Sequence, residues 1–369
     1  MPETVAVLGA GNGGCAAAAD LSLRGFDVHL YNRNPGRLAP ISERGGIDVR
    51  GVLGEDFVPI SLITSDLVAA VAGASEIVIT VPISGLEFFA EHLPQLLGQD
   101  QVVMLNPGHM GGGLFFAHEL RKRGVSRLPG LCETATLTYA CRMEGPATVG
   151  VYTVSTNLLF AALPADRTDE LHARMLSVFP NIVKARNVLE TGLQDLNAVE
   201  HPAQTVCNAG WLEHTQGDYY FYLEGTTPAV ARVIEAVDRE RMNLAAALDV
   251  KTRSFVESFF SMGYTSERAA KSGSVYQAMQ DSEPNKTIKG PKSLDHRYLH
   301  EDVGWGLVPW IHLAGVMDVA VPTMRALTTV ASQLNGIDYL NEGLTLERMG
   351  LAGLDSAGLR AVISSGDAV

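Results

Sequence analysis

The stretch TVAVLGAGNGG, Thr4 to Gly14, decides how the rest of the chain is read. A short apolar run, Thr4–Leu8, leads at once into Gly9-Ala10-Gly11-Asn12-Gly13-Gly14. An Ala-rich segment of helical composition, Cys15 to Arg24, comes next, then a Gly25 stop and a second strand, Val28–Tyr31. Glycines alone would mean little, because a chain with 37 of them produces chance matches; the order of strand, glycine turn and helix makes this the dinucleotide-binding fingerprint. Gly9 permits the turn, Gly11 lets the backbone approach a pyrophosphate, and Gly14 lets the helix pack close to the strand. Backbone N–H groups at the helix start, around Asn12 and Gly13, then face the anion.

After the second strand come Asn32, Arg33 and, a turn later, Arg37. An NAD enzyme usually carries Asp or Glu here to bind the ribose 2′-OH. Asn32 has no charge to repel a 2′-phosphate and Arg33 could pair with one, so NADP is expected in preference to NAD. Glu76–Pro82 and Val102–Leu105 are nearly continuous apolar runs, the pattern of parallel strands covered on both faces. Each ends in a loop of the kind that binds ligands in open α/β sheets. Asn106, in the second of these loops, either bonds near a nicotinamide or serves its own turn.

From about Asn187 the pattern changes to helical periodicity. The expected fold is therefore α/β: an N-terminal Rossmann doubly wound parallel sheet over residues 1–184, then a mostly helical substrate domain over residues 185–369. Ala229–Asp249 reads as an amphipathic helix capped by Thr227 with Pro228 in its first turn, and Val316–Leu334 as another. Gln280–Leu294 reads as a surface loop.

A length of 369 residues calls for two cores, and 46% hydrophobic with 19% charged residues is ordinary globular composition. A net charge of −13 without basic runs argues against nucleic-acid or anionic-membrane partners. Cys15, Cys132, Cys141 and Cys207 lack the spacing of a disulfide framework or zinc site, which indicates a reducing compartment. With no signal peptide and no apolar run of membrane-spanning length, the expected location is cytoplasmic. A homodimer is compatible with the sequence, though no motif specifies the oligomer.

Three features of the second half could carry chemistry. His201 sits before Pro202 in a helix-like region, where a lone histidine is often structural. The segment from His296 to Asp302 is the densest ionisable cluster, readable as a solvated turn. The i, i+4 pair His296 and His300 also permits a metal, but no further ligand pair supports one, and no metal is expected. Gly304-Trp305-Gly306 reads as a glycine-hinged loop whose tryptophan could simply pack.

These residues closely resemble the opine dehydrogenase family over nearly the whole chain. The resemblance rests on VLGAGNGG, the LNPG turn at Leu105–Gly108, CETATLTYACR at Cys132–Arg142 and NAVEHP at Asn197–Pro202. It continues through YYFYLEGTTPAV at Tyr219–Val230, RYLHEDVGWGLVP at Arg297–Pro309 and TLERMGLAGL at Thr345–Leu354. It implies reductive condensation of an L-amino acid with a 2-oxo acid such as pyruvate, using NAD(P)H, to a secondary-amine dicarboxylate. His201 would then be the acid/base, Asp302 its orienting carboxylate and Arg297 a carboxylate clamp. Asn32 departs from the acidic residue of many relatives, which puts cofactor choice in question. The alternatives are a two-domain ketone reductase of the ketopantoate or glycerol-3-phosphate dehydrogenase type, which commonly uses a lysine, and a non-catalytic nucleotide sensor.

Overall fold

Strand β1 (Thr4–Leu8) is buried from Val5 onward, and its apolar side chains have the helix Asn12–Leu23 on one face. The computed structural model of the protein describes residues 3–365. It divides into two units, one running to Thr191 and resumed from Arg360, the other Gly192–Leu359. The expected boundary at 184/185 thus falls seven residues before the observed one, and the end of the chain groups with the first unit.

The first unit holds β2 (Asp27–Tyr31), β3 (Gly46–Gly51), β4 (Asp56–Pro59), β5 (Leu62–Thr64), β6 (Glu76–Ile79) and β7 (Val102–Leu105). It continues with β8 (Gly130–Thr134), β9 (Tyr139–Gly145), β10 (Thr148–Val154), β11 (Leu158–Ala162) and β12 (Ile182–Lys184). Eight of these form one sheet in the order β12-β11-β8-β7-β6-β1-β2-β5, parallel except where β11 runs against β8. β1 lies between β2 and β6, so the winding reverses there and a crevice opens beyond Leu8 and Ile79, where such sheets bind ligands. A second sheet, β4-β3-β10-β9, was not expected. Its register shifts between β9 and β10, and its strands lack the apolar runs that mark the main sheet.

The second unit is helical, with one isolated bridge between Tyr220 and Lys289. The helix Pro228–Ala247 begins as expected: Thr227 accepts the N–H of Val230, and Pro228 occupies the first turn. Arg241 on this helix is fully buried and bonds to Asp238 at 2.6 Å and to the carbonyls of Leu193 and Arg253. Next to it, Glu240 accepts the N–H groups of Thr323 (2.7 Å) and Met324 (2.9 Å). That carboxylate caps the helix Pro322–Asn335, so the helix expected over Val316–Leu334 starts only at Pro322: the separate helix Val308–Val316 ends where it was expected to begin, and Asp318 turns between the two with φ +53°. Among the described residues no helix is long and apolar enough to cross a membrane.

Candidate active site

In the first unit the glycine turn has the geometry of an anion cradle. Gly9 has φ +120°, and a Cβ there would come within 2.4 Å of the Thr80 carbonyl oxygen. A Cβ on Gly14 would stand 1.6 Å from the Gly9 carbonyl oxygen, so helix and strand approach more closely than any side chain allows. Around Gly11 a Cβ would meet nothing within 4 Å. Gly11 is also the N-cap, with no side chain bonded to the first amides of the helix, so an open approach meets N–H groups without an intrahelical partner. Gly13 lies against Leu137 and Thr80, and Asn12 is turned to accept the N–H of Met143 at 3.1 Å. A dinucleotide's pyrophosphate fits this cradle.

Asn32 accepts the N–H of Asn34 at 2.9 Å, which closes a local turn and spends its oxygen. Arg33 is exposed and lies 5.6 Å over the ring of Phe88. Asn106 is fully buried. Its amide donates to Thr138 Oγ1 (2.8 Å) and its oxygen accepts the Thr138 N–H (3.1 Å) and the Thr134 hydroxyl (3.2 Å). Thr134 and Thr138 lie 28 and 32 residues away, so the side chain ties the loop after β7 to the segment after β8 instead of closing its own turn. Close by lies Glu133, buried against Gly108, 2.5 Å from the Thr191 hydroxyl and accepting the N–H of Gly113 at 3.1 Å. Burial pushes its carboxyl up to about 8, against which those two hydrogen bonds and His109 act.

The second unit brings His201 and Asp302 together. Asp195 caps the helix Leu196–Cys207, and His201 projects from its buried side. His201 Nδ1 lies 2.7 Å from Asp302 Oδ2 and Nε2 lies 2.8 Å from the Tyr222 hydroxyl. Tyr298 stacks on the imidazole with ring centroids 3.9 Å apart. Asp302 ends the short helical stretch begun by Arg297–His300 and leads into a single wide turn, Val303–Leu307. The expected glycine-hinged loop is therefore a buried helical turn. Trp305 packs there under the guanidinium of Arg348, with 4.5 Å to the ring centroid.

Burial first, and then the Arg297 guanidinium, push the His201 imidazole far below its ordinary range. The resting ring is neutral, and Asp302 as an acceptor fixes its proton on Nδ1. Glu200 Oε1 is 3.8 Å from Nε2, while Glu200 Oε2 has no hydrogen-bond partner among the described residues. Burial, reinforced by Asp302 and Asp195, raises the Glu200 carboxyl well above its usual range and keeps it neutral.

Arg297 is half exposed and pairs through Nε with Glu301 at 3.0 Å, the ion pair a surface arginine would make. Glu301 itself is buried, however, so the pair fixes the guanidinium rather than merely decorating the surface. His300 is held by Asp295 (2.8 Å) and the Tyr339 hydroxyl (2.7 Å), and His296 Nδ1 accepts the N–H of Tyr298. The i, i+4 histidines thus have structural partners, and among the described residues no group of three metal-ligating side chains occurs. Tyr222, Tyr298 and Glu200 stood inside recognised motifs without a role. Only the adjacency of Glu200 to His201, and of Tyr298 to Arg297, hinted at one.

Residues 184–335 match the family model described as NAD/NADP octopine/nopaline dehydrogenase, alpha-helical domain. Residues 4–115 match the model of the NAD-dependent glycerol-3-phosphate dehydrogenase N-terminus. An opine dehydrogenase of Arthrobacter sp. (strain 1C) is 36% identical over 361 residues, 98% of this chain and 99% of that protein. D-nopaline dehydrogenase of Agrobacterium tumefaciens (strain T37) is 23% identical over 89% of this chain and 85% of its own. Octopine dehydrogenase solved with NADH and L-arginine shares the fold, with a TM-score of 0.78 at 19% identity over 99% of this chain and 98% of its own.

Proposed function

The chain belongs to the opine dehydrogenase family of NAD(P)-dependent oxidoreductases, and from that premise we propose that it condenses an L-amino acid with a 2-oxo acid such as pyruvate, preferring NADPH. The observation that carries this reading is the buried His201–Asp302 pair at 2.7 Å. Condensation needs a base to strip the substrate ammonium and an acid to release water from the carbinolamine, and one neutral imidazole can do both in turn. Asp302 stabilises the imidazolium that forms between those steps, as a buried carboxylate does beside a histidine. Arg297 holds a substrate carboxylate, for which its planar donors are shaped. The nicotinamide, when bound, supplies the hydride that reduces the imine carbon. Gly9 to Gly14 hold its pyrophosphate, and Arg33 supports NADPH by meeting the 2′-phosphate.

The test is a matrix of L-amino acids against 2-oxo acids, read by NADPH and NADH oxidation with mass detection of the product. Oxidation that requires both substrates and yields the secondary amine is expected. Oxidation by the 2-oxo acid alone would make the protein a ketone reductase, and cofactor binding without any turnover would make it a sensor.

A further inference from the structure

Asp302 reaches His201 from a turn wound wider than an α-helix. The Leu307 N–H donates to the Asp302 carbonyl at 3.0 Å and the Val308 N–H to the Val303 carbonyl, each five residues back instead of four. A single turn of this kind is rare inside a helix and recurs at functional sites. Wound this way, the next bond in the series would run from residue 309 to the Gly304 carbonyl, but Pro309 has no N–H to give. The donor comes from elsewhere in the same unit: the Leu344 N–H reaches the Gly304 carbonyl at 2.8 Å. Gly343 makes room for it, since a Cβ there would stand 2.3 Å from that oxygen.

Arg348 grips the segment that supplies this donor. Its Nη1 donates to the carbonyls of Glu342 and Gly343, both at 3.0 Å. The Gly343 carbonyl and the Leu344 N–H belong to one peptide group, so the arginine holds one end of that group and Gly304 the other. The same guanidinium lies over the ring of Trp305, inside the wide turn. Arg348 falls within TLERMGLAGL, a stretch that no step of the proposed reaction uses.

We propose that Arg348 is a positioning residue for Asp302: through Leu344 and Trp305 it holds the wide turn that aims this carboxylate at His201. The proposal rests on the reading of His201 and Asp302 as the acid/base pair. The alternative to the wide turn is the ordinary helical register, in which Val308 would donate to Gly304 and no outside donor would be needed. Relaxation to that register removes one residue from the turn. It rotates the segment carrying Asp302 by about 100° relative to the helix that follows. The carboxylate then leaves Nδ1, and nothing fixes the imidazole tautomer.

Arg348→Met keeps the length of the side chain and removes its donors. The expected result is a kcat lower by roughly 10- to 100-fold, with the Kd for NADPH nearly unchanged. In the wild type the 2.7 Å bond to Asp302 deshields the His201 Nδ1 proton, and the variant should lose that downfield NMR resonance. A purely structural role for Arg348 would leave it in place. Arg348→Lys can still donate to the two carbonyls and should recover most of the kcat and the resonance. Gly343→Ala leaves the guanidinium intact but drives residue 343 away from Gly304, so it should reproduce both losses. It also provides the test if Arg348→Met fails to fold. Wild-type kcat in Arg348→Met or Gly343→Ala overturns the proposal, and so does a slow variant that keeps the wild-type resonance. If the wild-type protein shows no amine-dependent turnover, the condensation reading falls, and the resonance alone decides whether Arg348 positions Asp302.

Discussion

Gly306 sits so close to Ala198 that a Cβ on the glycine would come within 2.6 Å of the Ala198 Cβ. His201 lies three residues beyond Ala198 and Asp302 four residues before Gly306, so this contact bears on the spacing of the His201–Asp302 pair. Gly306→Ala should overpack the junction, lowering stability by about 1–3 kcal/mol and lengthening the His201–Asp302 bond. Ala198→Gly on top of it should restore most of the kcat. A Gly306→Ala enzyme with wild-type kcat and melting temperature would show that the contact positions nothing.

Removing either member of the pair should cost kcat rather than cofactor binding. His201→Ala is expected to lower kcat by roughly 10²–10⁴. Asp302→Asn preserves the shape but no longer selects the Nδ1 tautomer, so it should approach the same loss. Steady-state kinetics beside NADPH titration separates the two effects, and weakened NADPH binding with intact kcat would move both residues out of the chemistry.

Arg297→Lys keeps the charge and loses the two-pronged geometry. A clamp predicts a fall in kcat/KM of roughly tenfold or more with the fold intact. The difference should nearly vanish for a substrate whose carboxylate is replaced by an amide. If the variant handles the acid substrate like wild type, the Glu301 ion pair is all that Arg297 does.

Arg33→Ala tests the cofactor preference. One charge-assisted contact contributes about 1.5–3 kcal/mol, so kcat/KM with NADPH should exceed that with NADH by an order of magnitude or more. The substitution should erase most of that margin and leave NADH turnover nearly unchanged. Wild-type enzyme that favours NADH would refute the assignment directly.

Glu133 makes a prediction about stability. Its carboxyl titrates near 8 in the folded protein because it is buried, against an ordinary 4.5. Between those values the folded state holds a proton that the unfolded chain has released, so this contribution is full below about pH 4.5 and is lost as pH rises towards 8. The slope from such a group reaches about 1.4 kcal/mol per pH unit. Glu133→Gln stays neutral, so its unfolding free energy should fall less than wild type between pH 5 and pH 8. Parallel denaturation curves for the two proteins across that range would mean that Glu133 is ionised in the fold.

The sequence by itself determined the nucleotide unit's core and the helical character of the second unit. β1, the glycine turn, its helix and β7 depend on signals a few residues long: apolar runs, a residue that tolerates φ +120°, and helical periodicity. The resemblance added His201, Asp302 and Arg297 as a set. Tertiary structure alone decided who bonds to whom. His201 and Asp302 are 101 residues apart and Tyr222 is 21 from His201, and no local pattern encodes which hydroxyl faces which nitrogen. That choice follows from how closely Gly306 lets two segments approach, and from burial, which forces every polar atom in the cluster to find a partner or give up its charge. The same rule spent Asn106 on Thr134 and Thr138 and set the start of one expected helix at Pro322, where Glu240, more than 80 residues away, supplies the cap.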